Sequence, residues 1–273
     1  MMSQTIKPDP DFLDELPLWS APFGLLLLSN IPYKKNITVL DIGTGTGFPL
    51  TEIAMRLGDT CKLYGIDPWT SALERVRKKL NRYDIKNVEL INGKAEHIPL
   101  AKESVDLIVS NNGTNNVEDL FSVFRECARV IKPDGKFLQT YNLETSMSEF
   151  YMVLEKVLLE NQMKEAVGAV KEHIYIKRKP LGEFTEMLGN TGFRVVRVIE
   201  QGFDYTFNDG ASLFNHYFIR LAFLESWKAT VTAEKQQYIF NKVKNEINSI
   251  AEDKGCFKIS IPYVLIDSIR ISD

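Results

Sequence analysis

The chain has 273 residues, 44% hydrophobic and 25% charged, with a formal net charge of -3. This suits one enlarged α/β domain or a domain plus an insertion, and it gives no general reason to expect nucleic acid. Cys61, Cys127 and Cys256 are odd in number and far apart, which fits neither a disulfide framework nor a zinc cluster. A reducing cytoplasm is the default expectation. The apolar stretch Phe23 to Leu28 is far shorter than the roughly 20 residues of a bilayer span, and no basic region or cleavage site precedes it.

In chain order, residues 1 to 10 are polar and proline-bearing, and are expected to be loosely ordered. The run from Asp11 to Leu28 is apolar and aromatic. It reads as one or two helices packed on the core, and also as a flap over a ligand pocket led by Trp19 and Phe23. Ile37, Val39, Leu40 and Ile42 then form a strand buried on both faces. Gly43, Gly45 and Gly47 follow at alternate positions and let the backbone turn tightly against a ligand. From Phe48 to Leu57 the pattern is helical, so the loop delivers a helix N-terminus to whatever binds.

Strands are predicted at Cys61 to Asp67, Val88 to Asn92, Val105 to Ser110 and Lys136 to Tyr141, with helices at Trp69 to Arg82 and Val117 to Ile131. Leu120, Phe124, Cys127 and Ile131 form the core stripe of the second helix, and Lys132-Pro133-Asp134-Gly135 reads as a helix stop and turn. After strand five the alternation breaks. Ser146 to about Ala166 reads as one long amphipathic helix with Met147, Phe150, Tyr151, Leu154, Val157 and Leu158 on one side. The run Lys177 to Lys179 reads as a solvated charged face.

Leu181 to Asn190 reads as a short helix stopped at Gly192, and Phe193 to Ile199 as strand six. Ala211 to about Ile250 is mainly helical, with a stripe of Leu213, Tyr217, Leu221 and Leu224. Phe257 to Ile271 is a last strand, antiparallel beside strand six and bent at Pro262. The expected fold is a doubly wound, Rossmann-like α/β sheet of seven strands, mostly parallel with an antiparallel last strand. Helices cover both faces. The expected organisation is a helical flap over residues 1–35, then a domain over 36–273 with helical insertions at about 143–180 and 205–255.

Ligands of open α/β sheets sit outside the carboxyl ends of the strands. The candidates there are Asp41 with the glycine loop, Asp67 some twenty residues after Gly47, Gly93-Lys94-Ala95-Glu96, and Ser110-Asn111-Asn112-Gly113. A carboxylate at Asp67 can accept hydrogen bonds from both ribose hydroxyls. A dinucleotide fingerprint would need glycine where Phe48 or Leu50 stands, so this loop suits a ligand without pyrophosphate.

The ordered motifs V-L-D-I-G-T-G-T-G, Y-G-I-D-P-W, G-K-A-E-H-I-P-L with S-V-D-L-I-V, and R-V-I-K-P-D-G-K-F cover residues 36 to 142. Over that span the chain resembles the class I S-adenosylmethionine-dependent methyltransferases, in the branch holding quinone-biosynthesis and other small-molecule enzymes. The resemblance implies that Gly43, Thr44, Gly45, Thr46 and Gly47 face the methionine part of S-adenosyl-L-methionine, with Asp41 orienting the loop or meeting the ammonium group. Asp67 would hold the ribose, Pro68 and Trp69 would flank the adenine, and the Ala95 and Glu96 pair would read the adenine edge. Lys94 stands where the family usually has aspartate. Asn111 lies where the family lines the passage to the acceptor, although Asn111 and Asn112 equally suit a turn.

The implied reaction is an in-line methyl displacement needing no metal, in which the protein supplies proximity, orientation and water exclusion. His173 and His216 are the candidate general bases, each also readable as an ordinary histidine. Trp19, Phe23, Asn112, Tyr151, Tyr205 and Tyr217 are candidate pocket residues, which would favour a small, partly apolar or cationic acceptor. The N-P-P-Y signature of methyltransferases acting on bases or glutamine is absent, so no nucleic acid is expected; a homodimer stays open. A nicotinamide-dependent Rossmann oxidoreductase and a non-catalytic S-adenosylmethionine-binding protein are the alternatives.

Overall fold

The computed structural model describes Asp9, Asp11 and residues 19–271. The loose N-terminus expected over residues 1–10, and the flap before Trp19, otherwise fall outside the described residues. Seven strands form one sheet in the order β3-β2-β1-β4-β5-β7-β6. They are β1 Thr38–Ile42, β2 Lys62–Asp67, β3 Val88–Asn92, β4 Val105–Asn111, β5 Ile131–Asn142, β6 Phe193–Phe207 and β7 Phe257–Arg270. β1 pairs parallel with β2 and β4, β2 with β3, and β4 with β5, whereas β5 and β7 are antiparallel. The order reverses between β1 and β4, the topological switch point where such sheets bind ligands.

The chain divides into two compact units. Among the described residues, a sheet unit comprises 19–142, Pro180–Gln201 and 263–271, and a helical unit comprises Leu143–Lys179 and Gly202–Pro262. In the sheet unit, Val39, Leu63, Leu107, Val109, Leu138 and Leu265 pack against Leu50, Ile53, Val76 and Leu27. A second cluster joins Phe124, Phe137, Tyr141, Phe184 and Phe193 through edge-on and tilted ring contacts. Phe23 on the helix Ser20–Leu28 is wholly buried with its ring 4.2 Å from that of Tyr263. A Cβ on its neighbour Gly24 would lie 2.2 Å from the Phe48 ring. This helix is therefore part of the core.

In the helical unit, Phe150 stacks on the fully buried Trp227 with ring centroids 3.8 Å apart. Helix Ala233–Lys254 packs on Ser148–Glu160 and Gly210–Asn215 and buries Ile239, Val243 and Ile247.

Four expectations change. The single helix over Ser146 to Ala166 is two helices, Ser148–Glu160 and Lys164–Lys177. They are separated where Gln162 takes a left-handed φ of 58° that no helix continues through. Lys132 to Gly135 does not separate helix from strand, because Ile131 already pairs with Val105 and the turn residues bulge from β5 before Lys136 rejoins Leu107. Strand six runs on to Phe207, and β7 lies between it and β5.

The fourth change is the stripe Leu213, Tyr217, Leu221, Leu224. It loses phase where His216 is extended and again in the π turn Arg220–Leu224, so Phe218 and Ile219 are buried while Tyr217 and Leu221 are half-buried.

Candidate functional site

The glycine loop follows the carboxyl end of β1, at the switch point of the sheet. Gly43, Gly45 and Gly47 have φ of 74°, 52° and 103°, a region that favours glycine. Gly43 and Thr44 donate backbone N–H bonds to the Ile66 carbonyl, and Gly47 to that of Thr44. An added Cβ at Gly45 would meet nothing within 4 Å, so this side of the loop is open. The helix begins at Leu50 rather than Phe48, with the cis-peptide-linked Pro49 at its N-cap. Lys79 Nζ donates to the Thr46 carbonyl at 2.9 Å.

Two carboxylates face this loop. Asp67, almost buried at the end of β2, accepts from the Gly45 N–H through Oδ2 and the Trp69 N–H through Oδ1, each at 2.8 Å. Each oxygen keeps a further lone pair for hydroxyl donors. Pro68 is exposed, and Trp69 is half-buried at the head of the helix Thr70–Arg82. Asp41 is wholly buried at the end of β1. Thr44 Oγ1 donates to its Oδ2 at 3.1 Å, and its Oδ1 has no partner. Burial pushes its pKa up to about 7, opposed by the Thr44 bond and reinforced by the charge of Asp67.

Around β3 and β4 the predicted residues serve several tasks. Ala95 is buried, and its backbone N–H has no acceptor among the described residues. Glu96 Oε1 accepts the N–H groups of Glu118 and Asp119, and Lys94 pairs with Glu118 at 2.8 Å, so both side chains hold the 117–119 loop. Asn111 donates to the Ser20 carbonyl and accepts from Thr140 Oγ1, tying the N-terminal helix to β4 and β5. Asn112 takes the left-handed φ of 60° that the turn reading implies; its Oδ1 accepts from Asn115 while its buried Nδ2 is unpaired. Trp19 is half-buried, 5.8 Å from the Phe23 ring.

Sequence reasoning named Gly113 only as part of a turn string and did not foresee what it packs against. A Cβ there would lie 2.2 Å from the Ile42 carbonyl oxygen, and one on Gly43 would lie 2.6 Å from the Gly113 Cα. The loops after β1 and β4 therefore touch backbone to backbone. The Asn-Asn-Gly string signals a turn, but only the parallel pairing of β1 with β4 shows why its glycine is needed.

The remaining predicted residues belong to the helical unit. Tyr151 is buried and accepts from Trp227 Nε1 at 3.1 Å. The His173 ring lies 6.4 Å from that of Tyr151; burial, with the positive charges of Arg178 and Lys177, lowers its pKa. Burial also lowers that of His216, whose Nδ1 is buried without a partner and whose ring lies 6.0 Å from that of Tyr205. Burial pushes the Tyr205 hydroxyl up to about 12.

Among known proteins, a family described as a methyltransferase domain matches residues 33–255. The chain belongs to this methyltransferase family. It is 35% identical over 124 residues to a demethylmenaquinone methyltransferase of Bacillus licheniformis, a match spanning 45% of this chain and 50% of that one. To the demethylmenaquinone methyltransferase of Bacillus mycoides it is 27% identical over 173 residues, covering 60% and 73%. Among solved structures it resembles the YcgJ protein from Bacillus subtilis in fold, with a TM-score of 0.57 at 18% identity over 93% of this chain and 99% of that one.

The methyl donor of class I methyltransferases is S-adenosyl-L-methionine, and the methyltransferase loop fits it. An unanswered buried carboxylate oxygen suits its ammonium group, Asp67 suits its ribose, and the free Ala95 N–H suits its adenine edge. No group of three or more His, Cys, Asp or Glu side chains able to hold a metal occurs among the described residues. None of their helices is long and apolar enough to cross a membrane.

Proposed function

We propose that the protein transfers a methyl group from S-adenosyl-L-methionine to a small-molecule acceptor by in-line displacement. The observation that carries this is Asp41 Oδ1, buried without a partner beside a glycine loop that is open at the Gly45 Cα and held through the Gly45 N–H by Asp67. When bound, the cofactor supplies a methyl carbon on positively charged sulfur, already activated toward displacement. Asp41, the glycine loop and Asp67 would bind and orient it, with the Ala95 N–H, Pro68 and Trp69 at the adenine. Lys94 and Glu96 act by holding the 117–119 loop.

The helical unit would supply the acceptor pocket, with Tyr151, Tyr205 and Tyr217 among its residues. Phe23 is wholly buried against Tyr263, so it belongs to the core rather than to a pocket wall. An oxygen acceptor that must lose its proton can hand it to His173 or His216, where burial lowers both pKa values and so favours the neutral, proton-accepting imidazole. Small-molecule acceptors agree with the names of the demethylmenaquinone relatives.

The test is thermal melting of the pure protein with S-adenosylhomocysteine, S-adenosylmethionine and NAD(P)H. A ligand at a hundred times its Kd stabilises by about 2.7 kcal/mol. The two S-adenosyl compounds should raise Tm and NAD(P)H should not; no response to the former removes the reading. Binding without turnover on an acceptor panel would instead mark a non-catalytic binder.

A further inference from the structure

The run Lys177 to Lys179 reads in sequence as a solvated face, yet its middle member is among the most buried charged residues in the protein. Arg178 is only 4% exposed. Among the described residues no carboxylate lies within ion-pair distance of it. Its guanidinium makes two side-chain contacts, Nη1 donating to Tyr151 Oη at 3.4 Å and Nη2 to the Met147 sulfur at 3.8 Å. Both are long, and neither acceptor carries negative charge. The Tyr151 ring lies 5.9 Å from the guanidinium, which answers the charge only weakly. A guanidinium stays protonated at any ordinary pH and brings five N–H donors, so most of its hydrogen-bonding capacity is unmet in a buried place. Uncompensated buried charge is costly to a fold.

Tyr151 repeats the imbalance. Its oxygen accepts from Trp227 Nε1 and Arg178 Nη1, which leaves its own O–H without an acceptor. Arg220 Nε, in the π turn leading into the helix Glu225–Lys228 that carries Trp227, is a further buried donor without a partner. The helical unit thus holds several buried donors without acceptors and, at Arg178, a buried positive charge that no carboxylate among the described residues answers.

We propose that Arg178 and the Tyr151 hydroxyl form an oxyanion subsite, and that the acceptor carries a carboxylate or a phosphate ester there. This rests on the helical unit being the acceptor-binding part of a methyltransferase. It replaces a cationic acceptor with an anionic one. The lowered pKa of His173, to which the positive charges of Arg178 and Lys177 contribute after burial, agrees with an unanswered positive field. Planar fork geometry makes arginine suited to two-point contact with either anion, with the tyrosine O–H as a third donor.

The test uses the full chain saturated with S-adenosylhomocysteine and titrated with benzoate, phenyl phosphate, inorganic phosphate and neutral benzamide. At least one anion should bind tenfold or more tighter than benzamide; phenyl phosphate ahead of benzoate points to a phosphate ester, the reverse to a carboxylate. Arg178→Gln should erase that preference with S-adenosylhomocysteine affinity unchanged, and Arg178→Lys should restore part of it. Tyr151→Phe should weaken the anion several-fold and leave benzamide alone. Without ligand, Arg178→Gln should melt at or above the wild-type temperature, since it removes an uncompensated buried charge.

No anion preference in the wild type, a preference that survives Arg178→Gln, or an unliganded Arg178→Gln variant that melts several degrees lower would each overturn the subsite. Failure to bind S-adenosylhomocysteine would instead overturn the methyltransferase reading, so the two failures are distinguishable.

Discussion

At the scale of single residues, Asp41 and Asp67 divide the work. Asp67 is answered by two backbone N–H groups, whereas burial of Asp41 raises its pKa to about 7. A cation beside Asp41 would favour its charged form, so binding S-adenosylhomocysteine near pH 7, where this carboxyl is about half protonated, should release roughly half a proton. Calorimetry in buffers of different ionisation enthalpy reads this directly, and Asp41→Asn should bind without the release. Asp67→Ala removes the groups that shape Gly45 and accept from ribose. At roughly 1.5–3 kcal/mol for hydrogen bonds to a charged group, its affinity for S-adenosylhomocysteine should fall about 100-fold; near-normal binding would remove its ribose role. These acids were legible in the sequence because strand ends and glycine spacing place them. The protonation of Asp41 was not, because it depends on how completely neighbouring strands exclude water.

Among the elements, the loop after β4 shows what a local string leaves out. Gly113 looks like one more turn glycine, but it packs against the Ile42 carbonyl from another strand. Gly113→Ala must push those backbones apart, and overpacking of this kind should cost about 1–3 kcal/mol in urea unfolding. Gly45→Ala faces open space on that side and should cost less through contact, leaving mainly the penalty of its left-handed φ. In the helical unit, Trp227→Phe keeps a ring over Phe150 but deletes the bond to Tyr151, and should cost about 1–2 kcal/mol. Apolar periodicity found most of the helices but not their interruptions. Gln162 and His216 break helices without a glycine or proline to announce it, and a π turn shifts which residues face inward.

For the whole molecule, pH and cofactor should act together on stability. Asp41 binds its proton more tightly folded, near pH 7, than unfolded, near 3.8. Its contribution is complete below the unfolded value and is lost as pH rises through the folded one. Wild-type Tm should therefore decline between pH 5 and 8 relative to Asp41→Asn, and S-adenosylhomocysteine should narrow the gap by stabilising the charged form. The residues alone determined the alternating α/β order, the parallel core sheet, the glycine loop and the acid at each of two strand ends, because these rest on short-range periodicity and turn chemistry. Only the tertiary structure decided which oxygen of Asp41 goes unanswered, which glycine lets two loops touch, and that Arg178 lies inside rather than in water. Burial and the pairing of charges belong to segments far apart in the chain, and no local pattern records them.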